Sequence, residues 1–74
     1  MSVISSLLNA EYELLSTLER LRVDAVIALV MQTNERQSLE YGDWEFYAYP
    51  HPAGGVAWGI NDPDGENYRR GIAP

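Results

Sequence analysis

The sequence of 74 residues has no cysteine, no lysine and only one histidine. Without cysteine the chain forms neither a disulfide nor a thiolate zinc site. His51 stands between two prolines, and no carboxylate near it in the sequence is spaced to share a metal ion, so it is interpreted as a loop residue. We therefore expect no metal, no cofactor and no enzymatic activity.

Basic residues are also scarce, because five arginines stand against eleven acidic residues and give a net charge of −6. This charge repels a phosphate backbone, so direct binding to nucleic acid is not expected. A basic surface on another protein, including one that itself binds nucleic acid, is the partner that such a charge favours.

Long apolar runs are absent as well. The longest, residues 23–31, is about half the length that a membrane-spanning helix needs, and Asp24 interrupts it. No secretory pattern of a basic region followed by an apolar stretch opens the sequence. We expect one small cytoplasmic domain without membrane binding, whose marginal core depends on packing or self-association.

The aromatic residues that are present concentrate around residues 43–61. Two runs rich in aromatic and β-branched residues flank a loop of proline and glycine, which is typical of a β-hairpin. Because side chains alternate along a strand, one face of the hairpin is predicted to be apolar. That face comprises Trp44, Phe46 and Ala48 from the first strand and Val56, Trp58 and Ile60 from the second.

The opposite face of the hairpin carries Tyr47 and Tyr49 over Ala57 and Gly59. Glycine is a weak strand residue, and a tyrosine ring from the neighbouring strand is expected to cover Gly59.

Residues 3–38 carry helical patterns. Leu7, Leu14 and Leu21 recur every seven residues and, with Ile4, Leu8, Leu15 and Leu18, predict a helix over residues 3–22 whose apolar stripe faces the core. A coiled-coil seam is the alternative.

Residues 23–31 fit either a buried strand or a helix. The good helix formers that follow favour a helix over residues 24–38, with Asp24 as its N-cap. It would continue the first helix with a bend near Arg22, or pair with it after a tight turn.

Residues 39–42 are predicted to connect the helices to the hairpin. The sequence Asp62-Pro63-Asp64-Gly65 predicts a type I turn into a short polar edge strand over residues 66–70, followed by a loose tail over residues 71–74. The predicted fold class is α+β: one or two N-terminal helices on an antiparallel β-hairpin or three-stranded meander. In this single domain the helical part is residues 3–38, and the strands lie within residues 43–70.

Function is predicted to lie on the tyrosine face and its acidic edge. The candidate protein-binding residues are Tyr41, Asp43, Glu45, Tyr47 and Tyr49. Tyrosine is enriched at interfaces because it is amphipathic and has few rotors to immobilise. We expect an inhibitor or adaptor, for example a phage or mobile-element inhibitor of a nucleic-acid-handling defence complex. The alternative is a structural or regulatory homodimer, or a small subunit of a larger assembly.

Overall fold

The computed structural model describes residues 10–73, which form two helices followed by four strands. The elements are α1 (Ala10–Glu13), α2 (Thr17–Thr33), β1 (Gln37–Tyr41), β2 (Trp44–Pro50), β3 (Val56–Asn61) and β4 (Asn67–Ala73). The part of the predicted first helix that precedes residue 10, with Ile4, Leu7 and Leu8, lies outside the described residues.

Helix α2 begins and ends at well-formed caps. Ser16 Oγ accepts a hydrogen bond from the Glu19 backbone N–H, and Glu19 Oε1 accepts one from the Ser16 N–H, which completes a capping box. At the other end Asn34 adopts the left-handed conformation, with φ of 57°, and its N–H bonds to the Val30 carbonyl. The segment 23–31 is therefore helical, as predicted. The predicted N-cap at Asp24 and the bend near Arg22 are wrong, because α2 starts at Thr17, seven residues before Asp24, and runs through both positions. The break between the two helices lies at residues 14–16 instead.

The strands form one antiparallel sheet in the order β1-β2-β3-β4, and α2 packs on one face of it. The α+β class is confirmed, but the sheet has one more strand than predicted. The extra strand, β1, occupies residues assigned to the end of the helix and to the connector. It pairs with β2 through a two-residue turn whose first residue, Gly42, has φ of 62°, as a type II′ turn requires.

The hairpin register agrees with the prediction. Phe46 lies opposite Ile60 and Ala48 opposite Trp58, so the apolar side chains of β2 and β3 share the face that α2 covers. The core consists of buried residues of that face and of the helical region: Leu15, Val23, Val26, Val30, Phe46, Ala48, Trp58 and Ile60.

The helix turns a different side to the core from the one predicted. Val23, Val26 and Val30 are buried, whereas Leu14, Leu18 and Leu21 are each more than half exposed. Of the predicted stripe in the described residues, only Leu15 is buried. No helix within residues 10–73 is long and apolar enough to cross a membrane.

The turn before β4 has the predicted form. The Gly65 N–H bonds to the Asp62 carbonyl, Gly65 has φ of 84°, and Asp62 Oδ1 accepts from the N–H groups of Asp64 and Glu66. Strand β4 then continues through Ala73, so residues 71–73 are paired strand rather than the predicted loose tail.

Candidate functional site

The face of the sheet turned away from α2, here called the open face, is not packed under either described helix. Helix α2 contacts β1, β2 and β3 from the other side, while α1 lies along β4. Alternation and register place on the open face Ser38 and Glu40 of β1, Glu45, Tyr47 and Tyr49 of β2, Ala57, Gly59 and Asn61 of β3, and Arg70 and Ile72 of β4.

The centre of the open face is a pair of stacked tyrosines. The rings of Tyr47 and Tyr49 are nearly parallel, at 3°, with centroids 6.4 Å apart. The Tyr47 ring lies over Gly59, where a Cβ atom would overlap it. The expected cover of this glycine is therefore confirmed, and it explains why the strand carries glycine at that position. Tyr49 remains 39% exposed, so the pair presents a partly accessible aromatic surface.

Polar groups hold Tyr47 in place. Its hydroxyl accepts a hydrogen bond of 3.2 Å from Asn67 Nδ2, and the Arg36 guanidinium lies 5.2 Å from the ring centroid. Burial, followed by the nearby Tyr49 hydroxyl, raises the pKa of Tyr47 above its ordinary value, although Arg70 and Arg36 act in the opposite direction. This ring is consequently a fixed, neutral part of the face.

One end of the open face is acidic. Glu40 lies directly opposite Glu45 in the register, and Asp43 is exposed in the adjoining turn. Like charges directly opposite each other destabilise a sheet. Here the charge of Glu45 is partly compensated. Its Oε1 accepts a hydrogen bond of 2.9 Å from Asn61 Nδ2, and its Oε2 lies 3.9 Å from a guanidinium nitrogen of Arg36. A groove of about 230 Å³ opens at this end, lined by Glu40, Gly42, Asp43, Trp44 and Glu45. We call Glu40, Asp43 and Glu45 the acidic end.

The other end of the open face holds a larger groove of about 340 Å³, whose lining includes Glu11, Tyr47, Tyr49, His51, Ala57, Arg70 and Ile72. Glu11 of α1 closes the groove on the side of β4, because its Oε2 accepts a hydrogen bond of 3.0 Å from the Arg70 backbone N–H. That contact also occupies an N–H of β4, an edge strand that would otherwise present it for pairing with another chain.

Tyr41 does not belong to the open face, and its inclusion in the predicted patch is corrected. It packs on the covered face, with its ring edge-on to Phe46 at 5.5 Å and the Arg22 guanidinium 4.1 Å from its centroid. The two-residue turn sets this orientation, because it pairs Tyr41 with Trp44, an inward-facing position. The structure thus brings Glu45, Tyr47 and Tyr49 onto one surface, with Asp43 at its end.

Sequence reasoning missed the basic residues of this surface. Arg36 precedes a strand that was not predicted, so nothing in the sequence placed it above Tyr47. Arg70 was not assigned to this face from the sequence, whereas β4 pairs it with Gly59 on the open face. The face is therefore acidic at one end and carries arginines beside its tyrosines.

His51 and the acidic side chains were the other candidates for a chemical site. His51 Nδ1 accepts a hydrogen bond of 3.2 Å from the Ala53 N–H within the β2–β3 loop. Within residues 10–73, no three histidine, cysteine or acidic side chains are grouped so as to hold a metal ion. Comparison with known proteins gives no match to a family model, to a curated protein or to a solved structure. The chemistry of the open face is what bears on function.

Proposed function

We propose that the chain is a cytoplasmic protein-binding module, an inhibitor or adaptor that covers a basic surface of a partner protein with its open face. The observation that carries this proposal is the stacked pair of Tyr47 and Tyr49 lying beside the acidic end on a face that neither described helix covers. A face of this kind supplies apolar contact and charge together.

The tyrosines suit a binding role because their geometry is set before a partner arrives. Tyr47 is held by Gly59 beneath it and by the hydrogen bond from Asn67. Little side-chain entropy remains to be lost on binding, and preorganisation of this kind increases affinity. Tyr49 stacks on that fixed ring and offers its exposed surface.

The acidic end suits a basic partner because its charges are only partly compensated within the chain. Arg36 and Asn61 contact Glu45. Glu40 and Asp43 are exposed and have no side-chain hydrogen bond or ion pair within the described residues. A lysine or arginine of the partner placed in the groove between these acids relieves the repulsion of Glu40 and Glu45 and fixes the orientation of the complex.

The tyrosine contribution is tested with a matched pair of variants. A partner is first captured from a lysate of the source organism and identified, and its affinity is then measured by calorimetry. Tyr49→Ala is expected to weaken binding by about 2 kcal/mol or more, the scale of an interface hot spot. Met31→Ala is the control, because Met31 is 74% exposed and lies on α2, on the other side of the sheet from the tyrosines. Equal affinities for both variants would place the interface elsewhere.

The acidic contribution is tested by charge reversal. Glu40→Arg with Asp43→Arg is expected to slow association and to flatten its dependence on salt. Asp64→Arg with Glu66→Arg changes the net charge equally in the exposed β3–β4 turn and serves as the control. If both double variants slow association to the same extent, only the overall charge matters and the acidic end is not a contact site.

A further inference from the structure

Helix α2 is apolar on the side that faces away from the sheet. This outer face is formed by Leu18, Leu21, Ala25 and Ala28, all exposed, and Leu14 precedes it in the turn before the helix. Within the helix, intervals of three, four and three residues place Leu18, Leu21, Ala25 and Ala28 on one stripe. None of the five carries a polar side chain.

The inner side of the same helix is apolar too, since Val23, Val26 and Val30 are buried against the sheet. A helix that is apolar on two opposite sides is suited to a position between two layers. Within residues 10–73, only the sheet layer is present. The outer face therefore has the composition of an interface.

We propose that a second copy of this chain covers the outer face, with the two α2 helices antiparallel around a two-fold axis. The leucines occupy the N-terminal half of the stripe and the alanines its C-terminal half. An antiparallel copy with its axis between Leu21 and Ala25 sets each leucine onto a small residue of the other copy: Leu21 onto the partner's Ala25, and Leu18 onto the partner's Ala28. Such self-complementarity is what an isologous interface requires, and alternating large and small residues let two helices interdigitate.

Charge also favours a second copy at this position. Helix α2 has two acids, Glu19 and Asp24, and two arginines, Arg20 and Arg22, so it is neutral in a chain of net charge −6. Two acidic chains therefore meet at an element that adds no repulsion. Arg20 and Asp24, four residues apart on one flank of the stripe, are already held by α1: Arg20 donates to the carbonyls of Tyr12 and Glu13, and Asp24 Oδ1 accepts from the Tyr12 hydroxyl. The contact between the copies therefore rests on the apolar stripe. A strongly basic partner is attracted to the acidic end of the open face rather than to this neutral helix.

The expected association is reversible. Seventeen residues make a helix about 25 Å long, and a single pair of such helices buries less than the roughly 1,200 Å² typical of stable interfaces. We therefore expect a dimer that forms as concentration rises. Because each α2 lies on one face of its sheet, the dimer has the layer order sheet, helix, helix, sheet, and the two open faces point in opposite directions.

Sedimentation equilibrium of the full chain over a concentration series, from about 10 µM to about 1 mM, tests the proposal. The wild type is expected to pass from monomer to dimer. Ala25→Glu places a carboxylate in the stripe at an exposed helical position and is expected to raise the dissociation constant at least about tenfold. Ala53→Glu, the same change in the exposed β2–β3 loop, is expected to dimerise like the wild type.

Circular dichroism of the three proteins verifies that the fold is retained. A wild type that stays monomeric throughout the series overturns the proposal, and so does an Ala25→Glu variant that dimerises like Ala53→Glu. If the wild type is monomeric and Leu7→Glu then increases binding of a hydrophobic dye, the chain's own N-terminal residues are the occupant of the outer face, which also overturns the proposal.

Discussion

The contact between Tyr47 and Gly59 provides a direct test of the open face. Adding a single methyl group at Gly59 places a Cβ atom inside the volume of the Tyr47 ring. The overlapped atoms belong to the far end of that side chain, so the ring has to swing away from the sheet. We expect Gly59→Ala to destabilise the protein by displacing the ring rather than by straining the strand, since the backbone of Gly59 does not have a positive φ.

The magnitude follows from what the displaced ring loses. The hydrogen bond from Asn67 contributes about 0.5–1.5 kcal/mol, and the stacking on Tyr49 contributes a similar amount. Replacing a glycine by alanine within a strand by itself increases the free energy of unfolding by about 0.5–1 kcal/mol. The net destabilisation is therefore about 1 kcal/mol, within a range of about 0–2.5 kcal/mol. A change of 1 kcal/mol shifts the melting temperature of a domain this small by about 4–8 °C.

A double-mutant cycle isolates the contact. In a Tyr47→Ala background no ring stands in the way, so Gly59→Ala should stabilise the protein by about 0.5–1 kcal/mol, and the coupling energy should be about 2 kcal/mol. Thermal and urea unfolding of the four proteins measure these values. If Gly59→Ala destabilises both backgrounds equally, the ring is not the cause and the proposed packing of the open face is wrong.

Three further results are expected. Trp58→Ala should destabilise the fold by about 3–5 kcal/mol in urea unfolding, since Trp58 is almost fully buried, whereas Trp44→Ala should cost less because Trp44 is only half-buried; equal losses would contradict the observed burial. Ser16→Ala removes the capping box of α2 and should cost about 1 kcal/mol, measured by thermal unfolding; an unchanged midpoint would show that the cap contributes nothing. Burial is the first cause that raises the pKa of Tyr12 and of Tyr47, and a raised tyrosine pKa stabilises the fold below the unfolded value of 10.0 and ceases to do so as the pH rises through the folded value. Urea midpoints should therefore begin to fall as the pH rises above 10.0 and should level off once the folded-state pKa is passed. The fall should be smaller in Tyr12→Phe and in Tyr47→Phe; identical pH profiles in all three proteins would contradict this.

The hairpin could be predicted from the sequence because its signal is local. Alternation in β2 and β3 separates Phe46 and Trp58 from Tyr47 and Gly59, and a two-residue period allows only two assignments of the faces. The register observed between Phe46 and Ile60 is the one that unites the apolar sets. Most of the open face follows from this single pattern.

Strand β1 could not be predicted with the same ease because its residues form helices well and nothing before it breaks a helix strongly. The chain has neither glycine nor proline between the start of α2 and Gly42. Asn34 ends the helix by adopting a left-handed conformation, which asparagine tolerates but does not require. The available signal was the alternation of Leu39 and Tyr41 just before a Gly-Asp pair. Without β1, the orientation of Tyr41 and the position of Arg36 remained undetermined.

The sequence also did not allow us to predict which side of α2 faces the sheet. Both sides of the helix are apolar, so periodicity distinguishes them poorly. The structure buries the β-branched Val23, Val26 and Val30 and leaves Leu18 and Leu21 exposed. A periodic pattern alone does not separate these two sets of apolar residues.

The sequential order of the strands has a consequence for how the protein folds. Each strand pairs with the strand that follows it in the chain, across turns of only a few residues. Such contacts need little loop-closure entropy, and domains dominated by short-range contacts fold quickly. We expect the main phase of refolding from urea to follow a single exponential and to finish within about a second. A molecule unfolded by passing stress would then recover its tyrosine face before the exposed strands met those of another chain.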